Sequence, residues 1–405
     1  MQTRSFNNRA PRKYFYQSHY KSAGSSGFGR RKVMGRPGQK IDPARFVNKA
    51  VCGEKIEDFI PTHKFQDFKI DSRLINAVAN KGYKIPTPIQ DQIISHIIDG
   101  FDVVGVADTG TGKTAAFLLP IINKVLKNPR EKVLIVAPTR ELAIQIDQEF
   151  KSFVKGMRMF SVCCVGGMGI GRQISELRYN NNLIIGTPGR LKDLITRRMI
   201  NLSQFNTVVL DEADRMFDMG FINDTRFIMN LMPKGRQTLF FSATVSSDIE
   251  KMIQEFTKSP VRVSVKTRDT SKNVEQDIIR INRDKTKMEV LNSLLVKEEF
   301  NKVLIFGRTK HGVEKLAKNL FCQGFKVESI HGNKNNTQRQ RALEMFKCNR
   351  VRILVATDVA ARGLDISDIS HVINYDIPST YDDYIHRIGR TGRYNKRGMA
   401  LTFIE

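Results

Sequence analysis

The residues best equipped for chemistry stand in one short run, Ala107-Asp108-Thr109-Gly110-Thr111-Gly112-Lys113-Thr114. Its glycines let backbone N–H groups approach an anion, and a helix opening at Lys113 adds partial positive charge. Lys113 is placed to reach the β and γ phosphates of a nucleotide, and the Thr114 hydroxyl to ligate Mg²⁺. The full phosphate-loop pattern has glycine where Ala107 stands, so the run alone matches it incompletely.

A phosphate site needs a metal ligand and a base. Asp211-Glu212-Ala213-Asp214 directly follows the apolar run TVVL, where the acidic residue of a nucleotide-hydrolysing site belongs. Asp211 is positioned to hold Mg²⁺ through water, and Glu212 to orient and deprotonate an attacking water. An acidic tetrad alone is usually a solvated turn. At the end of a buried strand downstream of a phosphate loop, that reading gives way to chemistry.

These residues need elements to position them. The runs at 103–107, 133–138, 183–188, 207–212 and 238–244 are short and apolar, as buried parallel strands are. A second series follows at 302–309, 326–332, 352–358, 371–376 and 400–405, after a polar stretch at 267–273 that reads as a linker. Strand–helix alternation twice over predicts two α/β domains, each a parallel sheet covered on both faces. Ligands of such sheets bind beyond the carboxyl ends of the strands, where the motifs stand.

Composition sets the partner class. Lysine and arginine number 66 against 41 acids, a net charge of +25, which suits a polyanion such as nucleic acid. Residues 1–50 hold twelve Lys or Arg against one acid, Asp42. Gly, Ser, Pro and Asn punctuate this tail, which is expected to be disordered. Phe6, Tyr14, Phe15, Tyr16, Tyr20 and Phe28 lie between its charges, a mixture suited to phosphate neutralisation with base stacking. A transit peptide would need an apolar face that is missing. The absence of an apolar h-region and of an eighteen-residue apolar run predicts neither secretion nor a membrane span. Five cysteines without a CxxC pair fit packing residues in a reducing compartment, taken to be the cytoplasm.

With both motifs in place, the chain is similar to the DEAD-box RNA helicases of superfamily 2 over residues 63–405. The resemblance implies two tandem RecA-like domains, 63–266 and 274–405, joined by the linker 267–273 and preceded by the tail. It also implies ATP and Mg²⁺ as cofactors. Phe65 and GYKIPTPIQ at 82–90 resemble the Q motif, in which the aromatic stacks on adenine and Gln90 pairs with its edge.

Pro138-Thr139-Arg140-Glu141-Leu142-Ala143, Gly166-Gly167 and Thr187-Pro188-Gly189-Arg190 resemble motifs that grip the backbone of single-stranded RNA. The resemblance assigns RNA contact to Thr139, Arg140, Gly167, Thr187 and Arg190. In the second domain it adds Arg308, Gln338, Arg341 and Thr357. Such residues suit phosphates and 2′-hydroxyls and carry no base-edge code. Ser242-Ala243-Thr244 resembles the motif coupling hydrolysis to strand separation, its hydroxyls bonding toward Asp214.

Ala356-Thr357-Asp358 and Arg362-Gly363-Leu364-Asp365 resemble motif V, which implies Asp365 toward the ATP ribose and Gly363 among the nucleotide-binding residues. HRIGRTGR at 386–393 resembles motif VI, with Arg390 and Arg393 as fingers on the γ-phosphoryl and His386 positioning the water.

The implied activity is RNA-stimulated ATP hydrolysis driving closure on RNA and local unwinding of short duplexes. An ATP-gated clamp, a DNA helicase and a metabolic kinase are the rivals. Arg390 and Arg393 argue against the kinase, and the DEAD tetrad with the Q motif against DNA. FGRTKHG at 306–312 and IHGNK at 330–334 look most like the bacterial RhlE-type subgroup, which suggests ribosomal or RNA-decay partners. The chain stops directly after ALTFIE, where relatives continue, so the second domain is expected to be minimal. No feature suggests an oligomer interface, and a monomer is expected.

Overall fold

The computed structural model of the chain describes residues 46–48, 59–108, 110–265, 274–281, 284–361, 366, 368–392 and 398–404. Seven parallel strands form a first sheet: β1 Val103–Val106, β2 Val133–Val136, β3 Ser161–Cys164, β4 Leu183–Gly186, β5 Thr207–Leu210, β6 Gln237–Ser242 and β7 Val261–Ser264. They lie in the order β3-β4-β2-β5-β6-β1-β7. Six more form a second parallel sheet: β8 Val274–Arg280, β9 Val303–Phe306, β10 Val327–Ile330, β11 Ile353–Ala356, β12 His371–Asn374 and β13 Gly398–Ile404. Their order is β10-β11-β9-β12-β13-β8.

Helices cover both faces of each sheet because the inner strands are apolar on both. In β1, Val103 joins one core with Phe117 and Ile135, while Val104 joins the opposite core with Leu134 and Phe240. The second sheet is likewise sandwiched between one cluster around Leu304, Phe346 and Tyr384 and another around Ile305, Leu320 and Phe403. Two α/β sheets in tandem are therefore present, as expected.

The structure departs from the sequence reading at several elements. Strands β7 and β8 were not expected; both are at a sheet margin and mix polar with apolar residues. Residues 46–48, counted within the disordered tail, are instead docked: Phe46 is fully buried in the second sheet's core and Asn48 pairs with Gln276 of β8. The rest of the tail and the linker 267–273 lie outside the described residues. Cys164 is buried as expected of a packing residue, but Cys322 and Cys348 are exposed.

Candidate nucleotide site and nucleic-acid groove

The phosphate loop leaves β1 and enters the helix Lys113–Lys127 through two left-handed glycines, Gly110 at φ 89° and Gly112 at φ 91°. A Cβ on Gly112 would lie 2.6 Å from Gln90 Nε2 and 2.9 Å from Thr87 Oγ1. Both conformation and crowding therefore require glycine. Gln90 Nε2 donates to the Gly112 carbonyl at 3.1 Å, and Gln90 Oε1 accepts from the Thr87 N–H at 3.0 Å. Thr87 Oγ1 is buried beside them without a hydrogen-bond partner. Lys113 is buried, its Nζ donating to the Ala107 carbonyl at 2.5 Å, and the Thr111 hydroxyl donates to the Asp108 carbonyl at 2.8 Å. Thr114 is half-buried in the helix's first turn, and Thr109 lies outside the described residues.

Asp211 closes β5, next to that loop. Its carboxyl is 2% exposed. Burial pushes it up to about 7, against the pull of the Lys113 ammonium. Glu212 takes a left-handed backbone, φ 52°, at the strand-to-helix turn. Such a conformation costs a non-glycine residue about 1–3 kcal/mol and is typical of functional sites. Its Oε2 accepts from Arg215 Nη1 at 2.8 Å, with both side chains buried. Arg215 was not singled out from the sequence; its i+3 spacing from Glu212 was the available signal.

Asp214 gathers the Ser-Ala-Thr segment at the end of β6. Its Oδ2 accepts from the Ala243 and Thr244 N–H groups, each at 3.0 Å, and from the Thr244 hydroxyl at 3.3 Å. The Ser242 hydroxyl behaves differently: it donates to the Thr244 carbonyl at 2.7 Å and accepts from the Asp214 N–H at 3.3 Å.

Phe65, assigned to adenine, is placed in the core. It is 2% exposed and packs on Phe68 and Tyr83, at centroid distances of 6.3 and 6.4 Å. Tyr83, half-buried in the Q-motif loop, donates its hydroxyl to Glu149 at 3.1 Å, and the Lys81 ammonium lies 5.8 Å from its ring centroid.

A groove of about 480 Å³ runs along the strand ends, lined by Pro138, Thr139, Arg140, Glu141, Gly166, Thr187, Gly189, Arg190, Met219 and Phe221 from the first sheet's side. Gly332, Arg339 and Val359 line it from the second. Arg140 lies over Gly166-Gly167: a Cβ on Gly167 would come within 2.1 Å of Arg140 Nη1. Arg190 Nη1 donates to Gln173 Oε1 at 3.0 Å and to the Met168 carbonyl at 3.3 Å. Thr139 caps the helix Arg140–Phe153, accepting from the Leu142 N–H at 3.2 Å, and Thr187 stands at the start of Pro188–Thr196.

On the second sheet's side Gly332, Arg339 and Val359 line the groove, and the residues expected there stand beside them. Arg339 Nη2 comes within 2.8 Å of Glu141 Oε1. That oxygen, Arg339 Nε and Asn336 Oδ1 are buried yet make no hydrogen bond, so the pair is close but misaligned. Gln338 and Arg341 are exposed, and Gln338 is used locally, its Oε1 accepting from the Asn335 N–H at 3.1 Å. Helical phase explains the difference: on Asn336–Lys347, Arg339 lies on the groove side, while Gln338 and Arg341 fall on the exposed side. Arg308 is exposed beyond β9, with its backbone N–H donating to Asp376 at 2.7 Å. Thr357 is half-buried; its carbonyl accepts from the Ala360 and Ala361 N–H groups in the turn that brings Val359 to the groove.

The helix Tyr381–Ile388 carries His386 toward a small recess shared with Phe306, Asp358, Arg387 and Arg390. Arg387, to which the sequence reading gave no role, grips Asp358 through Nε at 2.5 Å and Nη2 at 2.8 Å. Its Nη1 donates to the Asp376 carbonyl at 2.7 Å, and its guanidinium lies 5.0 Å from the Phe306 ring centroid. Arg390 is buried at the helix's end. Gly363, Asp365 and Arg393 lie outside the described residues.

Comparison with known proteins agrees with this architecture. The "DEAD/DEAH box helicase" family matches residues 87–252, and the "Helicase conserved C-terminal domain" family matches residues 286–395. The DEAD-box ATP-dependent RNA helicase CshA of Bacillus subtilis is 45% identical over 345 residues, which is 85% of this chain and 70% of that protein. Saccharomyces cerevisiae Dbp5 bound to RNA and ADP BeF3 superimposes with a TM-score of 0.75 at 28% identity, over 84% of this chain and 89% of that one. Mss116p bound to ssRNA and AMP-PNP gives 0.74 at 30% identity, over 83% and 72%. Two matched families in the expected order, and a relative aligned over most of its length, establish that this chain belongs to the DEAD-box ATP-dependent RNA helicases.

Proposed function

We propose that the chain is an RNA-stimulated ATPase that closes its two sheets on single-stranded RNA and separates short duplexes locally. The observation that carries this reading is the groove itself. Arg140, Arg190, Thr139 and Thr187 line it beside Arg339 from the other sheet, so an occupant of the groove would touch both. Arginine and threonine side chains at strand ends favour a sugar-phosphate backbone over base edges. The +25 net charge supports a polyanionic partner.

Hydrolysis is assigned to the first sheet's strand ends. Lys113 sits where a β/γ phosphate would displace the Ala107 carbonyl from its ammonium. Glu212 is the base, aimed by Arg215. Thr114 and Asp211, a hydroxyl in the helix's first turn and a buried carboxyl near Lys113, fit Mg²⁺. Mg²⁺ characteristically takes one or two protein oxygens beside substrate phosphates. The metal would neutralise phosphate charge when bound. Arg390 and His386 complete the site from the second sheet, and Arg393, Gly363 and Asp365 are assigned to it from their motifs. The Asp214–Thr244 bonds link the hydrolytic tetrad to the strand-end segment that must move on closure.

Steady-state ATP hydrolysis with and without single-stranded RNA, beside Glu212→Gln, tests the reading. Stimulation by RNA that the variant abolishes supports it. ATP turnover indifferent to RNA at low salt refutes it. Release of a labelled short duplex over many turnovers separates unwinding from a clamp that only holds RNA.

A further inference from the structure

Residues 46–48 precede the first sheet in sequence but are built into the second. Phe46 is fully buried, its ring 4.7 Å from that of Tyr384. The Asn48 N–H donates to the Gln276 carbonyl at 3.0 Å, and the Gln276 N–H donates back to the Asn48 carbonyl at 2.8 Å. This antiparallel bridge closes the outer edge of β8. Gln276 in turn accepts the Tyr384 hydroxyl through Oε1 at 2.9 Å. Ring contact and backbone bridge therefore converge on one residue. Tyr384 stands on the helix Tyr381–Ile388, two positions before His386 and six before Arg390.

We propose that Phe46–Asn48 is an internal strap. It fixes the pose of the helix bearing His386 and Arg390. Phe46 is a positioning residue, acting through Tyr384 and touching no substrate. The proposal rests on the reading of His386 and Arg390 given above, and on nothing else in the nucleotide site.

The test uses the full chain with Phe46→Ala, Phe46→Leu, Asn48→Pro and Arg390→Ala. A misplaced catalytic helix lowers turnover without weakening an ATP site built on the other sheet. RNA-stimulated kcat of Phe46→Ala should fall roughly tenfold, the scale of sub-ångström misplacement, with KM for ATP little changed. Phe46→Leu, which refills most of the socket, should recover most of the loss. Asn48→Pro removes the bridging N–H without touching the core and should give an intermediate loss; it carries the test if Phe46→Ala does not fold. Hydrogen exchange should quicken at Gln276 and along Tyr381–Ile388 in both strap variants. Wild-type kcat in both strap variants, with Arg390→Ala inactive, overturns the strap. Full activity in Arg390→Ala overturns the reading of the site instead, and the exchange rates then decide whether the strap holds the helix.

Discussion

Gln90 and Gly112 are locked together across twenty-two positions of sequence: the Gln90 amide donates to the Gly112 carbonyl at 3.1 Å, and a Cβ on Gly112 would strike that same nitrogen. The Q motif and the phosphate loop are thus one unit. Gln90 Oε1 also holds the Thr87 N–H, so truncation to alanine frees both. Each neutral hydrogen bond contributes about 1 kcal/mol net, which together weakens ATP binding roughly tenfold or more. Gly112→Ala should be worse, because it adds a left-handed β-carbon to the collision. Titration of a fluorescent ATP analogue checks both, and unchanged affinity in Gln90→Ala would remove Gln90 from the phosphate site.

The motifs were legible because their chemistry demands unusual residues at strand ends: left-handed glycines, a buried lysine, a carboxylate closing an apolar run. What stayed hidden was orientation. Arg339 and Gln338 are equally polar in sequence, and only helical phase sends the former into the groove. The packing of Phe65 against Phe68 and Tyr83 was likewise not written in its own position. Strand β8, VEQDIIR, alternates like an edge strand within a polar stretch, and its outer partner Asn48 lies far upstream. No local pattern announces a pairing of that range.

Glu141 and Arg339 face each other from opposite sheets with side chains 7% and 10% exposed. Removing one partner of a buried ion pair typically costs about 3–5 kcal/mol, since the survivor stays desolvated. Arg339→Ala and Glu141→Ala should each lower RNA-stimulated hydrolysis sharply. The double variant should lose less than the two effects summed, with coupling of roughly 0.5–3 kcal/mol. ATP affinity without RNA should not move, because neither residue approaches Lys113 or Asp211. A strictly additive double variant would show that the pair does not form during turnover.

Asp214 holds three donors of the Ser-Ala-Thr segment on one oxygen, and its own N–H donates to the Ser242 hydroxyl. Asp214→Ala removes the acceptor of two part-buried N–H groups, at about 1 kcal/mol each. Thr244→Ala removes only the longest of the three bonds and should cost about 1 kcal/mol or less. Thermal unfolding should therefore rank Asp214→Ala well below Thr244→Ala. If the segment relays hydrolysis to RNA, Thr244→Ala should also lose duplex separation while keeping most of its ATP turnover. Parallel loss of both activities would show that the contact supports hydrolysis itself.

His371 should make the second sheet acid-sensitive. Its ring stacks on Phe300 at a centroid distance of 3.9 Å at the start of β12. Burial lowers its pKa below the ordinary 6.5, with Glu299 opposing weakly. The folded state therefore binds a proton less readily than the unfolded chain, which favours unfolding once the unfolded histidine titrates. This stability contribution is fully present above about pH 6.5 and is lost as pH falls toward the depressed folded value. His371→Phe keeps the stack and removes the titration. Chemical denaturation between pH 5 and about 7.5 should show the wild-type midpoint falling toward acid more steeply than the variant's. Equal slopes for the two proteins would mean that the acid sensitivity resides in other groups.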